Sequence, residues 1–374
     1  MKKPKILFLL TNLTGGGAEK VLVDILKKID TRKYDINLCL LFAKGSLLEE
    51  VPKNISIIEM FSNNIVYSFL FHFRSKFNFE LPLKLYVRNR IGNSYDLIIP
   101  FMEGFSTLIA SYCRGIKKIA WIHTDLLKNP VSSWLYKSDA HENKVYNLMD
   151  ELVFVSNDAK RAFNEKYATL INGVIINNPI FDKEIVNKSN EFNVDKRKFT
   201  IASIGRFTRI KRFDRLLKGC KLLLDKGFDF ELWLLGEGDL QKQYEDLVKE
   251  YKLDSTVRFL GFKKNPYPYL SEADLFVSSS LAEGFPLVLC EAIVLGIPIL
   301  ATNTTGSKEI LNGGEYGLLV DNSTEGMQNG MYDLVSSPSK IKYYKGQSEK
   351  RRTFLQSSKV MSDIYKVVDS HLDI

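Results

Sequence analysis

Glu283 and Glu291 are separated by Gly284-Phe-Pro-Leu-Val-Leu-Cys290, and the apolar run 287–295 ends at Gly296 and Pro298. Proline suits the first turn of a helix, and a closing Gly and Pro stop one, so the stretch reads as a loop running into a helix. Glu283 then lies in the loop, and Glu291 between one and two turns along the helix. Such a junction presents unpaired backbone N–H groups and the positive end of the helix dipole. The N–H groups around Phe285, Leu287 and Val288 suit a phosphate, and the two carboxylates suit hydroxyl groups. A nucleotide sugar has that pattern. Two solvated glutamates on an amphipathic helix are the simpler reading of the spacing alone.

A second set of charges lies upstream. The run 199–204 (Phe-Thr-Ile-Ala-Ser-Ile) reads as a buried strand broken by Gly205, and from Phe213 apolar residues recur with a helical period at Leu216, Leu217, Cys220 and Leu224. Arg206 and Lys211 therefore bracket a strand-to-helix loop, where open α/β sheets place their ligands. Arg offers a planar fork for phosphate oxygens, and Lys a compact charge. Arg209 and Arg212 lie close by, and the sequence leaves open which cations face a ligand. Gly15, Gly16 and Gly17 form another strand-to-helix turn, which lets backbone approach donor phosphates or an acceptor, or serves only as a tight turn. It is not a dinucleotide fingerprint, because Lys20 replaces the third glycine and no acid ends the second strand. His123 stands where the strand-like 119–122 meets a loop, before Thr124 and Asp125, in either a structural or a binding role.

The elements that must position these residues alternate between strand and helix patterns, which predicts parallel sheets with crossover helices. Strands are expected over 5–10, 36–42, 56–60, 97–100, 118–122, 151–155, 199–204 and 231–235, with a helix over 18–29. The apolar pattern stops near Asn177-Asn-Pro179, and 182–198 is rich in Lys, Asp, Glu and Asn. The expectation is a first domain over 1–181, a linker over 182–198 and a second domain over 199–357. Residues 358–372 form an amphipathic helix with Val360, Met361, Ile364, Val367 and Val368 on one side.

A chain of 374 residues is too long for one typical core and suits two. The four cysteines are scattered without a Cys-x2-Cys pair, so neither a zinc site nor a disulfide framework is indicated, and reduced, buried thiols in a cytoplasmic protein are expected. The first apolar run, about six residues, is too short for a signal peptide, and none approaches the roughly 18 residues of a membrane span. No Asp-x-Asp motif or His cluster stands ready for a cation, so no metal and no cofactor is expected. Residues 61–92 differ from the rest. Phe61, Tyr67, Phe69, Phe71, Phe73, Phe77, Phe79 and Tyr86 alternate with Arg74, Lys76, Lys84, Arg88 and Arg90, and Glu80 is the single acid. Residues 1–180 carry 24 Lys and Arg against 17 Asp and Glu, nearly the whole excess of the chain. Such a segment suits an anionic membrane surface, which would place the protein peripherally on the inner face of the cell membrane, or else a helix pair whose aromatics are core. Nothing matches a nucleic-acid-binding module, so no nucleic-acid partner is expected.

The motifs also occur in a familiar order. Gly205-Arg206 with Lys211, Gly236-Glu-Gly238, Phe259-Leu-Gly261, Ala273-Asp274, Glu283 to Glu291, Gly296-Ile-Pro298, Ala301-Thr-Asn303 and Gly306-Ser-Lys-Glu309-Ile310 together resemble the C-terminal half of the retaining GT-B glycosyltransferases called group 1, or family four. The resemblance is dense over 199–320. It reaches the N-terminus through Gly15-Gly16-Gly17-Ala18-Glu19 and the middle through Trp121-Ile-His123 and Phe154-Val-Ser156. It implies an α/β fold of two Rossmann-like domains facing a central cleft, the first acceptor-binding and the second donor-binding, with the terminal helix packing back on the first. It further implies a metal-independent hexosyltransferase that retains anomeric configuration and takes a nucleotide-sugar donor, UDP favoured, with a saccharide or lipid-linked acceptor in bacterial surface glycan synthesis. By the resemblance, Glu283 contacts the donor sugar, Glu291 the ribose, Arg206 and Lys211 the diphosphate, and His123 lies beside the donor sugar. Gly16, Gly17, Gly205, Gly236 and Gly284 allow close backbone approach, and Phe262 borders the base. A non-hydrolysing sugar-nucleotide epimerase and a non-catalytic nucleotide-sugar-binding subunit stay open as alternatives.

Overall fold

The computed structural model describes residues 2–77, 79–168, 171, 173–355, 357–372 and 374. The chain divides into two compact units, one built from the residues up to Asn178 together with 358–374, the other from Pro179–Ser357.

The first unit is a seven-stranded parallel sheet of β1 (Lys5–Leu10), β2 (Asp35–Leu40), β3 (Ser56–Glu59), β4 (Leu97–Pro100), β5 (Lys117–Ile122), β6 (Glu151–Phe154) and β7 (Gly173–Ile175), in the order β3-β2-β1-β4-β5-β6-β7. The second is a six-stranded parallel sheet of β8 (Phe199–Ile204), β9 (Phe230–Leu235), β10 (Val257–Gly261), β11 (Leu275–Ser278), β12 (Ile299–Thr302) and β13 (Leu318–Val320), in the order β10-β9-β8-β11-β12-β13. Central strands of a doubly covered parallel sheet are buried on both faces, which is why Ile6 to Leu10 and Leu232 to Leu235 are continuous apolar runs. In each sheet the strand order reverses at one point, between β1 and β4 and between β8 and β11. Loops leaving the carboxyl ends of strands at such a switch point splay apart and leave room for a ligand.

Three expectations change. Residues 182–198 do not form a featureless linker: Asp182–Ser189 is a helix of the second unit, with Ile185 buried and Val186 packed on its core. Its apolar face is too narrow to register against so many charges. Gly173–Ile175 forms a strand too short to show a period. The segment 61–92, which includes the undescribed Asn78, forms helices Asn64–Phe77 and Leu81–Ile91, and its aromatics divide. Phe61, Tyr67, Phe71 and Tyr86 join the core, and buried Arg74 donates to the Leu135 carbonyl and pairs with Glu80. Ile65, Phe69, Phe77, Phe79, Leu81 and Leu85 stay exposed. Among the described residues no helix is long and apolar enough to cross a membrane.

Candidate functional site

Both loops at the switch point of the second sheet carry the charged residues. Past β8, Gly205 turns the chain into the Arg206–Lys211 loop; past β11, Ser279 and Ser280 lead to Glu283. A Cβ on Gly205 would come within 3.2 Å of Lys211 Cε, so the Lys211 stem lies across the glycine. Lys211 Nζ donates to Glu283 Oε1 at 2.6 Å, and Ser280 Oγ donates to the same oxygen at 2.6 Å. The side chains of the ion pair are 23% and 15% exposed, shielded yet open to a ligand. The backbones are tied too: Ser279 Oγ donates to the Lys211 carbonyl at 2.8 Å, and the Leu281 N–H to the Ile210 carbonyl at 2.7 Å.

Beyond Glu283 the chain enters the helix Leu287–Val294, capped by Pro286. The Glu283 carbonyl accepts from the Gly306 N–H at 3.0 Å and the Thr305 hydroxyl at 3.2 Å, which anchors the loop that contains Gly284 and Phe285. Glu291 stands at the fifth position of the helix, one turn past Leu287. It is 5% exposed and accepts from the Tyr267 hydroxyl at 3.0 Å, which orients the carboxylate. Leu287 and Val288, in the first turn, are partly buried.

The surrounding cations separate by geometry. Arg206 is exposed and forms no ion pair among the described residues, so its fork is available. Arg212 is occupied: its guanidinium donates to Asp214 at 2.9 and 2.8 Å, which holds the Asp214 carboxyl below its ordinary value despite the opposing effect of burial. Gly236 has φ +133°, and a Cβ there would sit 2.0 Å from the Gly205 carbonyl oxygen, so the loops after β8 and β9 touch backbone to backbone. Phe262 is exposed, and its N–H donates to Glu237 Oε1 at 3.1 Å.

In the first unit the other two predicted features follow β1 and β5. Gly15 has φ +103°, and Gly16 caps the helix Gly17–Lys28. The Gly15 and Gly16 N–H groups both donate to Glu19 Oε2, at 2.6 and 3.0 Å, so an anion reaching Gly16 must first displace that carboxylate. His123 follows β5, and burial pushes its imidazole down to about 3, so the ring is neutral. Its Nε2 is buried with no hydrogen-bond partner. Among the described residues no group of three His, Cys, Asp or Glu side chains is arranged to hold a metal ion.

Sequence reading missed Ser280, Tyr267 and Glu103. The serine run 278–280 directly after a strand was a signal for Ser280, since hydroxyls at a strand end readily bond a following loop. Tyr267 and Glu103 bond residues 24 and 20 positions away, and no local pattern announces such pairs.

The model of a family described as "Glycosyl transferases group 1" matches residues 184–352, the whole of the switch-point site in the second unit. Residues 184–352 are a group 1 glycosyltransferase domain. An uncharacterized glycosyltransferase of Haemophilus influenzae is 26% identical to this chain over 338 residues, 89% of the chain and 91% of the relative. The N-acetylgalactosamine-N,N'-diacetylbacillosaminyl-diphospho-undecaprenol 4-alpha-N-acetylgalactosaminyltransferase of Campylobacter jejuni is 31% identical over 194 residues, 51% of the chain and 52% of the relative. Among solved structures, Anabaena Alr3699/HepE in complex with UDP-glucose has a TM-score of 0.79 at 17% identity, covering 98% of this chain and 99% of that one. WaaG, a glycosyltransferase involved in lipopolysaccharide biosynthesis, has a TM-score of 0.72 at 16% identity, covering 97% and 98%. The chain thus shares the GT-B fold.

Proposed function

We propose that the chain transfers a hexose or N-acetylhexosamine from a nucleotide diphosphate sugar, UDP-linked in first preference, to a saccharide or lipid-linked saccharide acceptor, with retention of anomeric configuration and without a metal. The observation that carries this reading is Glu283, fixed by Lys211 and Ser280 at the mouth of a helix whose next turn holds the buried Glu291. The Lys211 ammonium can turn from Glu283 to a β-phosphate, and exposed Arg206 supplies the second charge. Both stabilise the negative charge that develops on the departing diphosphate. Glu283, released from the ion pair, then accepts hydroxyls of the donor sugar, and Glu291 serves the ribose. The acceptor oxygen attacks the anomeric carbon from the face the diphosphate leaves. The carbon–phosphate-oxygen bond breaks, a carbon–oxygen bond to the acceptor forms, and the acceptor's proton passes to the leaving phosphate oxygen. UDP is preferred because UDP and UDP-glucose occupy the Anabaena structures, and a lipid-linked acceptor because the Campylobacter relative's name contains diphospho-undecaprenol.

The exposed face of residues 65–85 supports a peripheral site on an anionic inner-membrane leaflet. Phe69, Phe73 and Phe77 pack along one helix as tilted ring pairs with centroids 4.6 and 5.3 Å apart, beside the exposed Lys76. Sedimentation with phosphatidylglycerol vesicles should capture the protein and lose Phe69→Ser/Phe77→Ser; equal capture of both would remove this face from the reading.

A thermal-shift panel of UDP, GDP, ADP and their sugar conjugates, with EDTA throughout, tests the donor site. One nucleotide should stabilise the protein, and Arg206→Ala and Lys211→Ala should abolish the shift. Glu283→Ala should cost turnover on the order of 100-fold while nucleotide binding persists. Epimer formation without acceptor would replace transfer by epimerisation.

A further inference from the structure

Arg215 is a cation buried without a counter-ion. It stands in the first turn of the helix Phe213–Asp225, is 5% exposed, and among the described residues forms no ion pair. The neighbouring carboxylate, Asp214, is committed to Arg212. Arg215 Nη1 donates instead to a neutral acceptor, Asn322 Oδ1, at 2.5 Å, and its Nε is buried with no hydrogen-bond partner. Asn322 follows β13, and its Nδ2 donates to the Leu281 carbonyl at 2.8 Å. These two partners fix the orientation of the amide, because a guanidinium only donates and a carbonyl only accepts. A buried cation that meets only neutral groups is costly, and an aspartate at 322 would pair with it. That aspartate would have no N–H for the Leu281 carbonyl. An asparagine serves both neighbours.

Leu281 lies two residues before Glu283. Its N–H donates to the Ile210 carbonyl, and Ser279 Oγ to that of Lys211. Both ties end on the loop whose lysine must release Glu283 when a diphosphate binds. The bond from Asn322 ends elsewhere, through Arg215, on a helix whose Phe213, Leu216 and Leu217 are buried in the core. We infer that Asn322 is a positioning residue for the Glu283 carboxylate, and that Arg215 is buried to hold it. Together they keep the 281–283 turn in place while Lys211 changes partner. Neither acts on the substrate directly. The effect on catalysis rests on the proposed function; the tie to Leu281 does not.

Hydrogen–deuterium exchange without ligand reads the tie, and UDP-glucose turnover with UDP affinity reads its use, in wild type, Asn322→Asp and Asn322→Ala. In both variants the 279–285 segment should exchange about 10-fold faster, with β12 unchanged. Both should lose about 10-fold in kcat, with UDP affinity within about twofold. Stability separates the variants. Asn322→Asp gives Arg215 a counter-ion and should raise the melting temperature by about 2–4 °C, whereas Asn322→Ala should lower it. A purely structural role would move stability and turnover together, and the aspartate is expected to move them apart. The more stable aspartate variant also decides the question where the alanine variant fails to fold. Unchanged exchange over 279–285 in both variants overturns the inference, as does a melting temperature of Asn322→Asp below that of wild type. Wild-type turnover in Asn322→Ala overturns it too, since any loss in the aspartate variant would then come from its charge. If wild type does not turn over UDP-glucose, that donor leaves the proposed function, and exchange and melting decide the tie.

Discussion

His123 is neutral in the fold because an imidazolium at that depth would lose its hydration, and this has a consequence for pH. Its folded-state pKa, about 3, lies below the ordinary 6.5, so the unfolded chain takes up the proton first. The stability it contributes is complete above about pH 6.5 and is lost as the pH falls toward 3, by up to about 1.4 kcal/mol per pH unit. Glu103 runs the other way, since its raised pKa favours the protonated form in the fold, which stabilises as the pH falls. Wild type alone therefore mixes two opposite slopes. Urea unfolding of wild type and His123→Gln between pH 4 and 7 isolates the histidine: the variant should lose less stability toward pH 4. Parallel curves would mean that the imidazole is hydrated in the fold.

At the scale of elements, the site depends on loops that touch where no side chain fits. A Cβ on Gly306 would lie 2.7 Å from the Gly284 carbonyl oxygen and 2.8 Å from that of Glu283. The helix Thr305–Ile310 thus presses directly on the loop that carries Glu283. Gly306→Ala should cost about 1–3 kcal/mol and lower turnover by displacing Glu283. Gly346 gives the contrast: it lies in the helix Pro338–Arg352, a Cβ there meets nothing within 4 Å, and Gly346→Ala should stabilise by roughly 0.5–1 kcal/mol with turnover unchanged. Thermal melts with turnover at one temperature check both. If Gly306→Ala matched wild type in turnover, the Gly306 contact would not govern the position of Glu283.

At the scale of the molecule, the chain leaves the first unit near Asn178 and returns to it at Ser358. The helix Ser357–Leu372 buries Met361, Ile364 and Val368, and Asp369 accepts from the Tyr34 hydroxyl and from Lys33, each at 2.5 Å. Tyr365 stacks on Tyr34 and accepts the Asp30 N–H at 3.0 Å. The last residues of the chain therefore belong energetically to its first unit. Asp369→Ala leaves the buried part of this network unpaired and should destabilise that unit by about 1–3 kcal/mol. Under the proposed function nucleotide stabilises the second unit, and that stabilisation should persist in the variant. Calorimetry with and without UDP reads both, and a loss of the UDP effect would mean that Asp369 acts beyond its own unit.

The alternating strands, the glycine breaks and the order of the motifs were legible in the sequence because each depends on neighbours within a few residues. A period of two or 3.6, a proline at a helix start and a cation just past a strand are local facts. So the strands that carry the candidate site, and the placing of Arg206, Lys211, Glu283 and Glu291 just past strands or at a helix start, could be read directly. What local pattern could not supply was partnership. That Lys211 meets Glu283 across 72 residues, and that Tyr267 orients Glu291, follow only once the sheets bring their strands together. The same holds for the bond from the His123 N–H to Glu103, and for the sorting of the 61–92 aromatics into core and surface. Burial is a property of the assembled fold. Two phenylalanines four residues apart look alike in a sequence, and only the packed chain decides which of them meets water.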